Sequence, residues 1–221
     1  MLCYAIQRDI FSNRGVMYLW KQVIYYDFNK NMNMKLLLEL IEKCEDSNAE
    51  VKAMVCDMGN GTLLSTLDVY QNHNNYFPNP ADPSRKVYIV PDVPHCIKNM
   101  RNHTMDSGMV IKQSENELIC LSKEHFEDLL SLDNGDFRYC PKLTTGHLYV
   151  RGNERQHVRT ATELFSETVS KAMEYLLGDR NKDQAKIIST IDQWFDVMNS
   201  RAKFNNKNNR CALGKIYFMT L

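Results

Sequence analysis

The stretch KVYIVPDVPHCIKNMRNH, residues 86–103, decides how the first half of the chain is read. Lys86 to Val90 is a short apolar, β-branched run, the composition of a buried strand. Pro91-Asp92-Val93-Pro94 then breaks it. The residue before a proline is pushed into extended geometry, and a proline in a first helical turn is well tolerated. From His95 onward, polar and apolar residues alternate at helical spacing. The segment therefore predicts a strand handing over to a helix, with an Asp and a His three residues apart at the junction. Such a pair suits a metal- or substrate-adjacent site. It suits equally a helix start, where a carboxylate is stabilised by about 0.3–1 kcal/mol. Two residues are not a complete metal site, since catalytic zinc takes three protein ligands. On the helix, Lys98, Arg101 and Asn102 fall on one face. That face is either a set of phosphate contacts or an ordinary solvated surface.

Working outward, the same alternation recurs. GVMYLWKQVIYYDFN (15–29) is rich in aromatic and β-branched residues and predicts a strand. Met34, Leu37, Leu38 and Ile41 recur at helical spacing behind Asn33, a suitable cap. AEVKAMVCDMGNG (49–61) predicts an apolar strand ending at Cys56-Asp57 before a Gly/Asn turn. TLLSTLDVYQN (62–72) predicts a short helix, and HNNYFPNPADPSR (73–85) a loop. Strands alternating with helices imply an α/β sheet with parallel pairs. In open α/β sheets ligands gather at the carboxyl ends of the strands. This makes Asp57 a candidate ligand for a hard cation, although its polar, Gly-rich followers also fit a turn or cap.

SGMVIKQSENELICLSKEHFEDLLSLDNGD (107–136) predicts an extended pair followed by a helix. Beyond Tyr139 the pattern is helical. Val158, Ala161, Leu164, Phe165, Val169, Ala172, Met173 and Leu176 form one apolar stripe that Gly178 is placed to end. Ile188, Ile191, Phe195 and Met198 form another, with Trp194 beside it as a core residue. The two helices and the polar turn between them suggest an antiparallel pair. The last residues begin as an Asn/Lys linker and end in a short apolar scrap.

The totals narrow the class. The 221 residues carry 27 Lys+Arg against 27 Asp+Glu, so no bulk charge demands a nucleic-acid partner. The seven cysteines are odd in number and scattered, with no C-x-x-C, which argues against a disulfide framework or zinc ribbon and for a reduced, intracellular chain. No run approaches the ~18 apolar residues of a membrane span, and the start lacks the layout of a secretory signal. A phosphate-binding P-loop and a Ser nucleophile elbow are both missing from the sequence. His147 and His157 show no convergent spacing.

Taken in order, several words of the sequence resemble those of the P-element-type transposases, the group that includes the THAP-domain transposases. LWKQVIYYDF (19–28) looks like the family's Trp-Lys-x-Pro strand, with Val23 where proline is usual. VKAMVCDMGNG (51–61) looks like its Val-Cys-Asp strand end. FPNP (77–80) followed by VYIVPDVPHCIKNMRNH (87–103) looks like its Asp-x-Pro-His-x-x-Lys-x-x-Arg-Asn signature. PKLTTGHL (141–148), VRTATELFSETVSKAMEYL (158–176) and FDVMNSR (195–201) look like landmarks of its helical insertion.

The resemblance implies a partial RNase H-like domain over 1–107, a mixed sheet with flanking helices. A connecting segment over 108–138 and an incomplete all-α, GTP-binding-type insertion over 139–221 would follow. It implies DNA transposon ends as partner, with self-association, a nuclear location and no membrane. It also implies chemistry by three acids holding two Mg²⁺ or Mn²⁺ ions. By this resemblance Asp57 matches the second acid and a metal ligand. Asp92 and His95 match the supporting signature, and Lys98 and Arg101 become candidate DNA-backbone contacts. The choice between Asp57 and Asp92 as triad member stays open, with strand order favouring Asp57. No GTP-contact residue transfers.

Departures from the family pattern carry their own expectation. The family's first acid lies upstream of the Trp-Lys strand in an Asp-Glu-Met context, whereas Asp9 is the sole acid before Trp20 and does not resemble it. The third acid, a Glu, lies past the insertion. The expected chain is thus a decayed or truncated copy that does not cut or join DNA alone, with an unpaired sheet edge at the strand of 15–29. The alternative is a domesticated nucleotide- or protein-binding module that retains the helical insertion.

Overall fold

The computed structural model describes residues 2–11, 17–28, 32–57, 65, 67, 74–114 and 117–199. They fall into two compact units, one ending at Asp92 and one beginning at Val93. The first unit holds strands and a helix, the second a hairpin among helices.

In the first unit, strand β1 (Leu2–Phe11) pairs antiparallel with β2 (Met17–Asp27), with one register shift at Tyr4/Ala5. The expected strand at 15–29 is present. β1 covers one edge of it, from Leu2↔Asp27 to Phe11↔Met17, and among the described residues these two strands form a sheet of their own, with no strand on the other edge of β2. Asp9 lies in β1 opposite Leu19.

Helix α1 (Met34–Asp46) starts where Asn33 Oδ1 accepts the Leu36 amide at 2.9 Å. It buries Leu37, Leu40, Ile41 and Cys44, the face that the spacing predicts. These pack with Met32, Leu67, Phe77, Val87 and Ile89. A three-stranded sheet takes the order β3 (Ala53–Cys56), β5 (Lys86–Pro91), β4 (Tyr76–Pro78). β5 runs parallel to β3 and antiparallel to β4. Its alternation is sharp: Val87 and Ile89 are fully buried. β4 corrects the all-loop expectation for 73–85, since three residues around Phe77 add an edge that a Pro at position 78 then terminates. The predicted helix of 62–72 lies almost wholly outside the described residues, as do residues 200–221.

Glu45, at the end of α1, ties that helix to the β4–β5 turn. Its carboxylate accepts the Val51 amide (2.8 Å), the Asn79 side-chain amide (2.7 Å) and two nitrogens of Arg85 (3.2 and 2.8 Å). Asp82 accepts the third Arg85 nitrogen at 3.0 Å. The Arg85 hydrogen bonds, against a smaller opposing effect of burial, hold the Glu45 carboxyl down at about 2. This cluster fixes where β3 and β5 lie against α1.

The second unit opens with α2 (Val93–Asp106), which carries Pro94 in its first turn as predicted. The hairpin β6 (Met109–Ser114) and β7 (Glu117–Leu121) follows, then α3 (Lys123–Leu132). This is the extended pair and helix expected for 107–136. Then come α4 (Thr145–Leu148), a 3-10 turn (Gly152–Gln156), α5 (Val158–Leu164), α6 (Glu167–Leu177) and α7 (Lys182–Met198). The single stripe expected over 158–176 is broken into α5 and α6. Phe165 leaves the helix and Ser166 caps the next one by accepting the Val169 amide. The apolar periodicity runs through the break, because Phe165 still enters the core and meets Phe126 edge-on at 6.5 Å. Gly178 ends α6 with φ +69°, a conformation that favours glycine. Trp194 packs partly buried against this core, as expected. Among the described residues no helix is long and apolar enough to cross a membrane.

Candidate active site

β3 and β5 are in parallel register, Ala53↔Tyr88 through Cys56↔Pro91. One step further, the Asp92 amide donates to the Cys56 carbonyl at 2.7 Å. The ladder therefore delivers Asp57 and Asp92 as the next residues of two neighbouring strands, both at the carboxyl ends. Adjacent strands lie about 4.8 Å apart. Asp57 is exposed and Asp92 half-buried. Sequence reasoning named both and weighed them as rivals; the register places them side by side.

Two carboxylates at one sheet end provide oxygen donors of the kind hard cations take. Among the described residues they are joined by no third His, Cys, Asp or Glu in a group able to hold a metal. A two-metal arrangement needs more donors than this pair, so no reaction step through a metal follows from these residues. His95 lies in the first turn of α2.

Lys98 and Arg101 do not share one solvated face. Lys98 is half-buried and its Nζ donates to Gln156 Oε1 at 3.3 Å. Arg101 is fully buried, and its Nη2 donates to the Arg155 carbonyl at 2.7 Å. The expectation of a surface contact from Arg101 to a DNA backbone does not fit this burial. The helical period put Arg101 on a face; it did not reveal that the 152–156 turn packs over that face.

Several residues of the helical unit gained a role that spacing gave no hint of. Asp133 is 3% exposed and accepts the amides of Tyr139 (2.7 Å) and Cys140 (2.9 Å). Arg138 braces the same loop from its other side, donating to the carbonyls of Asp133 and Leu143. The loop thereby holds Tyr139 against Tyr175 of α6, ring centroids 5.1 Å apart. With Thr168, Lys171 and Ala172 the two tyrosines line an open cleft of about 390 Å³. An Asp followed by Asn-Gly, as at 133–135, is a turn signal that could have pointed to the brace. His147 proves structural: its Nδ1 accepts the Thr144 amide at 3.3 Å, leaving Nε2 to face Glu163 at 3.2 Å.

The family model described as TNP-like, GTP-binding insertion domain matches residues 94–211, more than half of the chain. The chain belongs to the P-element-type transposase family. A curated relative, the transposable element P transposase of Drosophila melanogaster, is 32% identical over 201 residues. That alignment covers 87% of this chain and 26% of the relative. The solved Drosophila P element transposase strand transfer complex matches with a TM-score of 0.74 at 25% identity, covering 92% of this chain and 51% of that one. The chain thus spans about a quarter of the curated P transposase and about half of the solved chain. The P-element family match begins at Pro94, one residue inside α2, and so takes in the helical unit from its first turn.

Proposed function

We propose that this chain is a DNA-associated, GTP-binding piece of a P-element-type transposase that does not by itself cut or join DNA. The carrying observation is the register that sets Asp57 and Asp92 side by side at the strand ends, with no third metal-ligating side chain joined to them among the described residues. In this reading Asp57 is the second acid of an RNase H-like site for Mg²⁺ or Mn²⁺, and Asp92 and His95 support it. One carboxylate pair does not place two divalent ions for in-line attack on a phosphodiester. The likeness to a transposase solved as a strand transfer complex supports DNA as partner, and a nuclear location goes with that partner. Self-association belongs to the same reading.

The helical unit supports a second, compatible activity. Residues 94–211 match a GTP-binding insertion family, and the core from Ile97 to Ile191 is closed by Phe126, Leu164, Phe165, Met173 and Ile188, each fully buried. In this reading the helical unit retains a guanine nucleotide site independently of the strand ends. Isothermal titration of the full chain with GTP tests this, with ATP as control. Micromolar GTP binding with no response to ATP is the expected result; no heat with either removes the nucleotide-binding reading and leaves a relic.

A further inference from the structure

Among the described residues, Arg101 is the largest side chain that is completely buried. One terminal nitrogen is used, donating to the Arg155 carbonyl; among the described residues Nε and Nη1 meet no acceptor. The neighbouring carboxylate, Asp106, is already taken by both terminal nitrogens of Arg155. Two guanidinium charges thus share one carboxylate, and among the described residues the buried Arg101 charge has no carboxylate hydrogen-bonded to it. Burial, and then repulsion from Arg155, push the Arg101 guanidinium down from its ordinary value, with Asp106 opposing. A guanidinium does not deprotonate in a protein, so the charge remains and calls for an anion.

The covering element is slight. The 3-10 turn Gly152–Gln156 packs on α2, buries none of its own residues and begins at Gly152 with φ +53°. It also supplies the carbonyl that holds Arg101 Nη2, so lifting the turn frees that donor as well.

We propose that Arg101 is the receptor of a phosphoryl anion, which docks on its Nε and Nη1 when the Gly152–Gln156 turn lifts from α2. A planar guanidinium is the side chain whose donors best match phosphate oxygens, and charge-assisted bonds of this kind are about twice as strong as neutral ones. Free phosphate and the phosphate chain of a nucleotide share this chemistry. The nucleotide arm rests on the GTP reading above; the inorganic arm does not.

The test uses the full chain and the arginine Nε–H region of ¹H–¹⁵N spectra, with potassium phosphate titrated against potassium chloride at matched ionic strength. The Arg101 Nε–H signal is expected to shift saturably with phosphate and not with chloride, and phosphate is expected to raise the unfolding temperature. Arg101→Met, which removes an unpaired buried charge, is expected to lose that phosphate-dependent rise. Asp106→Asn, which releases Arg155, is expected to bind phosphate several-fold tighter. An unmoved Arg101 signal, or an equal phosphate effect in Arg101→Met, overturns the proposal, and the wild-type signal decides it even if that variant does not fold. GTP and guanosine complete the set. GTP binding alike to wild type and Arg101→Met, with Arg101 silent to phosphate, overturns this site and leaves the GTP reading intact. A phosphate-responsive Arg101 in a chain that binds neither GTP nor guanosine does the reverse.

Discussion

The amide of Asp92 donates to the carbonyl of Cys56 across 2.7 Å. That bond extends the parallel ladder one step past Cys56↔Pro91 and makes neighbours of the two carboxylates that follow. If the pair takes a divalent cation, Mn²⁺ should broaden the amide signals of residues 56–57 and 92–93 first. Asp57→Asn and Asp92→Asn should each weaken that broadening. Equal broadening in both variants would place the ion elsewhere.

The Glu45–Arg85 cluster should shape acid stability. Glu45 is held at about 2 when folded, below the ~4.3 of an unfolded glutamate. Its contribution is therefore present above about pH 4.3 and disappears as the pH falls through the folded value. Arg85 is one-third exposed, so the contribution is discounted for screening to about 1–2 kcal/mol. Denaturant unfolding at pH 7 and pH 3 should show Glu45→Gln less stable than wild type at pH 7, with the difference narrowing at pH 3.

Asp133 should be the most sensitive polar position of the helical unit. Replacing it by alanine leaves the buried Cys140 amide and the part-buried Tyr139 amide without their acceptor and Arg138 without its carboxylate, a loss of about 3 kcal/mol. Thermal unfolding would register this as a large drop, accompanied by freed motion of Tyr139 in its ring spectra. A loss below ~1 kcal/mol would show that the loop stands without the brace.

Two cysteines should differ sharply in reactivity. Burial, reinforced by the Asp133 charge, pushes the Cys140 thiol up to about 11, and its Sγ faces the Thr168 carbonyl at 3.6 Å. Cys120 is exposed on β7. At pH 8 the thiolate is the reacting species. Peptide mapping after brief maleimide treatment should find Cys120 labelled and Cys140 protected until the protein is unfolded.

Much of this architecture was legible from local pattern. The strand ending at Cys56 and the helix with Asn33 as cap follow from period and punctuation. So does the Asp92-Pro94 junction, and the residues that carry those signals are the ones that do the work in three dimensions. The misses share a cause: each depends on a partner far along the chain. β1 offered no strong alternation, and its pairing with β2 decides its state. The β4 strand exists because Phe77 enters the core beside β5. Phe165 keeps the helical period while leaving the helix, so the break before Ser166 is invisible to periodicity. At the site, the sequence supplied Asp57 and Asp92 as alternatives because no one-dimensional reading carries register. The burial of Arg101 depends on a turn more than fifty residues away.

The central claim is that this chain carries transposase parts without transposase chemistry. Its most direct test is strand cleavage and joining by the purified full chain on DNA ends with Mg²⁺ or Mn²⁺. No cutting or joining with either ion, whether GTP is present or not, is the predicted result. Metal-dependent cutting that disappears in Asp57→Ala would contradict it.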